Sequence, residues 1–183
     1  YQAVSGAGLG GIQDLESGIE NYVCSSKYEL KKFPYKIFNN CIPHIDDFTP
    51  DGYTKEEHKM INETRKILKK PQLPITATTV RVPVFNSHSE SINIEFDKEF
   101  ELKDLIKTLK EAPGVIVKDD VANNIYPMPI ITNEHDEVYI GRIRRDYSVK
   151  SGVNIWVVAD NTRKGAASNA VQILEGLINN SKI

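Results

Sequence analysis

Apolar side chains recur at helical spacing at Ile12, Leu15, Ile19 and Tyr22, behind the glycine-rich run Ser5-Gly6-Ala7-Gly8-Leu9-Gly10-Gly11, and predict an amphipathic helix over residues 5–22. From 27 to 53, Pro34, Pro43, Pro50 and Gly52 break the pattern, so extended pieces and loop are expected. Thr54 with Glu57 forms a capping box, and Met60, Ile61, Thr64, Ile67 and Leu68 carry the next helix until Pro71. Residues 76–84 and 91–96 are rich in β-branched side chains and predict two strands. A helix follows over Leu102, Leu105, Ile106 and Leu109, ending before Pro113-Gly114. Residues 115–117, 138–145 and 153–159 are further strands, the last apolar enough to be central. Asn161 or Thr162 opens a final helix through Ala166, Ala170, Ile173, Leu174 and Leu177.

Strands and helices mix without strict alternation. The expected class is therefore α+β, a mixed, largely antiparallel sheet with helices packed on one face. The 183 residues, 40% hydrophobic, suffice for one sizeable core, and a single domain over 1–183 is expected. A net charge of -2 gives no global attraction for nucleic acid or an acidic membrane, and no apolar run approaches a bilayer span. Cys24 and Cys41 have neither CxxC spacing nor a matching His pair, which suits a reducing cytoplasm. The start, Tyr1-Gln2-Ala3, has no Met and no signal-peptide pattern, and suggests a piece of a longer chain.

Candidate chemistry centres on residues 81–90, with Arg81 expected on a strand and His88 in the turn after it. A guanidinium fork grips a carboxylate and an imidazole moves protons near neutral pH, so the pair suits an acidic substrate undergoing proton transfer. An outward strand arginine and a loop histidine are the plainer alternative. Glu56 and Lys59 can share a helix face and read a zwitterionic or phosphorylated molecule, or form an ordinary surface ion pair. The glycine run matches neither GxGxxG nor a P-loop. Arg142, Arg144, Arg145 and Lys150 form a basic cluster that strand alternation divides between two faces. His44, His58 and His135 lie in unrelated surroundings, so no metal site is expected.

Seven segments in order, Tyr1-Gln2-Ala3-Val4-Ser5-Gly6-Ala7-Gly8, Asn40-Cys41-Ile42-Pro43-His44-Ile45-Asp46, Gly52-Tyr53-Thr54-Lys55-Glu56-Glu57, Glu63-Thr64-Arg65-Lys66-Ile67-Leu68, Arg81-Val82-Pro83-Val84, His88-Ser89-Glu90 and Asp160-Asn161-Thr162-Arg163-Lys164-Gly165-Ala166-Ala167, together resemble aspartate-semialdehyde dehydrogenase. The resemblance implies an enzyme that converts aspartyl 4-phosphate to aspartate 4-semialdehyde with NADPH, releasing phosphate, in lysine, threonine and methionine biosynthesis. It implies a substrate-binding and dimerisation domain of the glyceraldehyde-3-phosphate dehydrogenase C-terminal type, without the Rossmann half. It further implies a homodimer with residues 138–159 near the interface, and a terminal helix turned toward the cofactor domain.

By motif matching, Gln2 orients the acyl intermediate and His88 is the general acid/base. Arg81 holds the substrate's α-carboxylate, Glu56 its ammonium and Lys59 its phosphate, while Ser5, Gly6 and Asn161 meet the NADP cofactor. The family's nucleophilic cysteine belongs upstream of Gln2, in neither Cys24 nor Cys41, so the chain alone is expected to be inactive. A non-catalytic homologue acting as a homodimeric binding or assembly module is the alternative. An N-acetyl-glutamyl-phosphate reductase would leave Glu56 without an ammonium to meet.

Overall fold

In the computed structural model, which describes residues 1–179, the chain divides into two compact units, Tyr1–Phe85 and a second beginning at Asn86. The first is built on two helices. A 3-10 turn, Val4–Ala7, leads into α1, Leu9–Cys24. Leu15 of α1 closes on Val4, Ile37 and Ile42, with Ile12, Ile19, Phe33 and Phe38 around them. Tyr22, expected on the same stripe, is exposed and rests its ring against Phe38. The glycine-rich entry has a packing reason at Gly11, where a Cβ would lie 2.5 Å from the Val4 carbonyl oxygen.

The proline-broken stretch is irregular, as expected, yet firmly anchored. Asp14, fully buried on α1, accepts the N–H groups of Lys31, Lys32 and Phe33 at 2.8 to 2.9 Å. Helix α2, Lys55–Ile67, opens on the predicted capping box, with Thr54 N–H to Glu57 at 2.8 Å and Glu57 N–H to the Thr54 hydroxyl at 3.2 Å. Residues 76–84 do not form the expected strand. They run extended with bridges only at Arg81, which pairs with Gln2 on one side and Ile42 on the other. Pro74 just before the stretch and Pro83 within it supply no N–H, which limits the ladder.

The second unit is a four-stranded sheet in the order β1-β4-β3-β2. Its members are β1, His88–Glu95; α3, Leu102–Glu111; β2, Val115–Val117; a short α4, Pro129–Thr132; β3, Val138–Asp146; β4, Gly152–Ala159; and α5, Ser168–Asn179. Strand β4 pairs antiparallel with β1 and β3, and β2 joins β3 in parallel, so the sheet is mixed and largely antiparallel. Leu102, Leu105, Ile106 and Leu109 of α3 pack on Ile140, Ile143, Val153 and Ile155, covering one face of the sheet.

Strand β3 is irregular between Gly141 and Arg144, where Arg142 takes φ 53° and the Asp119 carboxylate accepts the N–H groups of Arg142 and Ile143 at 2.8 and 2.9 Å. Simple alternation of the arginines is thereby broken. Arg145 stacks its guanidinium on Phe100, 3.9 Å from the ring centre, whereas Arg142 and Arg144 are exposed. The last helix begins later than predicted, because a π-helical turn, Arg163–Ala167, precedes α5. Val171, Ile173, Leu174 and Ile178 of α5 are half or more exposed.

Candidate active site

In the first unit three separate stretches converge on Arg81. The N–H of Gln2 donates to the Val80 carbonyl at 2.8 Å, and the Gln2 carbonyl accepts from Val82 N–H at 3.1 Å. Opposite, Arg81 and Ile42 exchange backbone hydrogen bonds of 2.8 and 3.0 Å. The first turn of α2 adds Glu56, which accepts the Gln2 side-chain amide at 2.8 Å, and Lys59, whose ammonium lies 3.5 Å from the same carboxylate. Gln2, Glu56, Lys59 and Arg81 thus form one neighbourhood, although the chain separates them widely.

Arg81 is 5% exposed. Its Nη1 donates to the Ala3 carbonyl at 2.7 Å, Phe33 lies against it with the ring centre 5.7 Å away, and its Nε makes no hydrogen bond. Burial lowers the pKa of the guanidinium from its ordinary value, and the negative charge of Glu56 works against that. A buried cation with an unused donor beside a carboxylate can receive a second, planar anion through its fork. The plain outward-facing arginine is therefore not what this fold contains. Lys59, by contrast, is largely exposed, and its link to Glu56 alone contributes little stability.

Glu57, next to Glu56, does more than cap α2. Its second oxygen accepts the N–H of Thr79 at 2.9 Å and fixes the extended stretch that carries Arg81 against the helix that carries Glu56. Spacing could not reveal this partner, 22 positions away. Ser5 and Gly6 occupy the 3-10 turn after Gln2; their N–H groups are used by Phe85 and Ala3 carbonyls, so a ligand there would meet side chain and carbonyl groups.

His88 is not in a turn but is the first residue of β1, opposite Ala159 of β4, and is half-buried. The strand starts earlier than periodicity suggested because β4 is long enough to pair with residues 88–91 as well. Asn161 lies in the turn after β4 rather than on the last helix, and its Oδ1 accepts the N–H of Ser87 at 3.0 Å. Beside it, Asp160 is 1% exposed. Burial would raise its pKa, but hydrogen bonds from Glu134, Thr162 and Arg163 outweigh that and hold it below the usual range. Cys24 and Cys41 are both free and exposed. Among the described residues no group of three His, Cys, Asp or Glu could hold a metal, and no helix is long and apolar enough to cross a membrane.

The first unit thus sets a buried guanidinium near a carboxylate, and the second is a mixed sheet. Residues 1–164 match the family described as semialdehyde dehydrogenase, dimerisation domain, and the chain belongs to that family. Its similarity is to aspartate-semialdehyde dehydrogenases in particular. It is 53% identical over 180 residues to the one from Aquifex aeolicus (strain VF5), covering 97% of this chain and 53% of that protein. The crystal structure of aspartate semialdehyde dehydrogenase II complexed with ASA from Vibrio cholerae matches with a TM-score of 0.93 and 41% identity, over 98% of this chain and 53% of that one. The Candida albicans enzyme with NADP matches with a TM-score of 0.61 and 25% identity, over 81% of this chain and 47% of that one. The chain spans about half the length of the curated relatives it matches.

Proposed function

We propose that this chain is the substrate-side half of an NADP-dependent aspartate-semialdehyde dehydrogenase, acting as a homodimer in the cytoplasm on aspartyl 4-phosphate and its reduction product. The single observation that carries the proposal is the convergence of Gln2 and Glu56, joined at 2.8 Å, with buried Arg81 and with Lys59. A substrate with an α-carboxylate, an ammonium and a phosphate requires both signs of charge within a few ångströms, and these residues supply them.

Arg81 receives the α-carboxylate through its fork, with the Nε that donates to nothing as one prong. Glu56 takes the ammonium, exchanging its Gln2 contact for the ligand. Lys59, exposed on the next position of the same helix face, meets the phosphate as a point charge. Gln2 then turns its amide to the acyl oxygen, and the acid/base role falls to His88 by the family resemblance. Gly6 is exposed and has no Cβ, which fits a flat nicotinamide beside it, and Ser5 is polar enough to meet its amide. When bound, NADPH supplies the hydride.

The thiol that forms the acyl intermediate belongs to the half of the relatives that this chain does not match, so the chain alone is inactive. The test is to assay NADP reduction with aspartate semialdehyde and phosphate, first with the purified chain and then with the chain joined behind the N-terminal half of the Aquifex aeolicus relative. Activity only in the joined protein, lost with His88→Ala, is the expected result. Turnover by the chain alone, or a joined protein indifferent to His88→Ala, would overturn the proposal.

A further inference from the structure

The acid/base residue of the proposed reaction needs a fixed direction, and the second unit contains a device for this that no motif announced. Ser87, immediately before His88, has φ 72°, a left-handed conformation that a residue with a Cβ adopts only when its surroundings hold it there. It is 1% exposed and its hydroxyl has no hydrogen-bond partner, so the side chain does not stabilise the conformation. What engages the residue is its N–H, donated to Asn161 Oδ1 at 3.0 Å.

Asn161 is itself held. The neighbouring Asp160 carboxylate accepts Glu134 N–H at 2.8 Å, Thr162 N–H at 2.8 Å, the Thr162 hydroxyl at 2.7 Å and Arg163 N–H at 3.2 Å, which closes the turn around Asn161. On the far side of the joint, His88 is locked to the sheet by its pairing with Ala159. The Asn161 bond fixes the peptide plane entering Ser87, the ladder fixes the chain leaving His88, and left-handed Ser87 connects the two.

We propose that Asn161 is a positioning residue for His88, acting through the Ser87 N–H to set the direction of the imidazole. This rests on the acid/base role given to His88 above, and it assigns to the Asn161 oxygen a task other than a cofactor contact. Asn161→Ala removes the acceptor and Asn161→Asp keeps one.

The experiment has two arms. In the 15N-labelled chain, Asn161→Ala is expected to speed exchange of the Ser87 amide, to split or broaden the His88 ring signals and to lower Tm by a few degrees, with Asn161→Asp restoring all three. In the joined enzyme, Asn161→Ala should lower kcat by about tenfold or more while leaving the KM for NADP unchanged, and Asn161→Asp should recover most of the loss. An unaltered Ser87 amide and His88 ring, or a raised KM for NADP at full kcat, would overturn the inference. The two proposals fail separately: an active His88→Ala enzyme removes the acid/base role whatever the ring signals do, whereas an inactive His88→Ala beside a fully active Asn161→Ala removes only the positioning role.

Discussion

One carboxylate of Glu57 serves two structures at once: an oxygen closes the α2 capping box on Thr54 N–H at 2.8 Å, and the other takes Thr79 N–H at 2.9 Å. The strand-like stretch before Arg81 and the helix bearing Glu56 are thereby fastened at one point. Glu57→Ala should remove a cap and leave the Thr79 N–H unsatisfied in a buried setting, costing about 2 to 4 kcal/mol. Glu57→Gln, which keeps an oxygen for one partner only, should cost less. Urea unfolding of the two variants measures this, and equal losses would show that the bond kept by the glutamine oxygen contributes nothing.

Arg81→Lys should keep the positive charge but lose the fork. An ammonium cannot meet a carboxylate in bidentate fashion while also donating to the Ala3 carbonyl as Nη1 does at 2.7 Å. In the joined enzyme the KM for aspartate semialdehyde is expected to rise by about tenfold or more with a smaller change in kcat. A kcat effect without a KM effect would place Arg81 elsewhere in the reaction.

Asp136 gives the second unit an acid-sensitive fastening. Hydrogen bonds from Arg163 and then Ser168 lower its pKa from the usual 3.8 to about 2. Because the folded value lies below the unfolded one, its contribution is complete above pH about 4 and disappears as pH falls through about 2. Tm should therefore drop over that acid window by more in the unaltered chain than in Asp136→Asn, whose curve already lacks the contribution. Parallel curves for the two proteins between pH 5 and 2 would refute this.

Membership of a dimerisation-domain family leads us to expect a particle of twice 20.6 kDa by light scattering at micromolar concentration. A strictly monomeric mass would count against self-association of this chain.

Elements governed by local rules were legible from the amino acids. The Thr54 capping box, the 102/105/106/109 stripe of α3 and the apolar run of β4 all formed close to where periodicity put them. What failed depended on long-range partners. Residues 76–84 have strand composition, but their neighbours at Gln2 and Ile42 each offer only a single bridge, and composition cannot report how much edge is available. His88 moved from turn to strand for the converse reason, since β4 extends far enough to recruit it. Within the site, Glu56 and Lys59 looked like any surface ion pair until Gln2, 54 positions from Glu56, arrived beside them.

Strand β3 has one more property that follows from Arg142. Against two steps of β4, from Trp156 to Asn154, it spends three, from Gly141 to Arg144. The side chains before and after are therefore in different frames, which is why Ile140 and Ile143, of opposite parity, share one core cluster. Arg142 behaves as a one-residue insertion clamped by Asp119. Deleting it would give one continuous frame in which Ile143 falls opposite Ile155 and stays in the core, Arg145 stays opposite Val153 beside Phe100, and only the clamp on Asp119 is released.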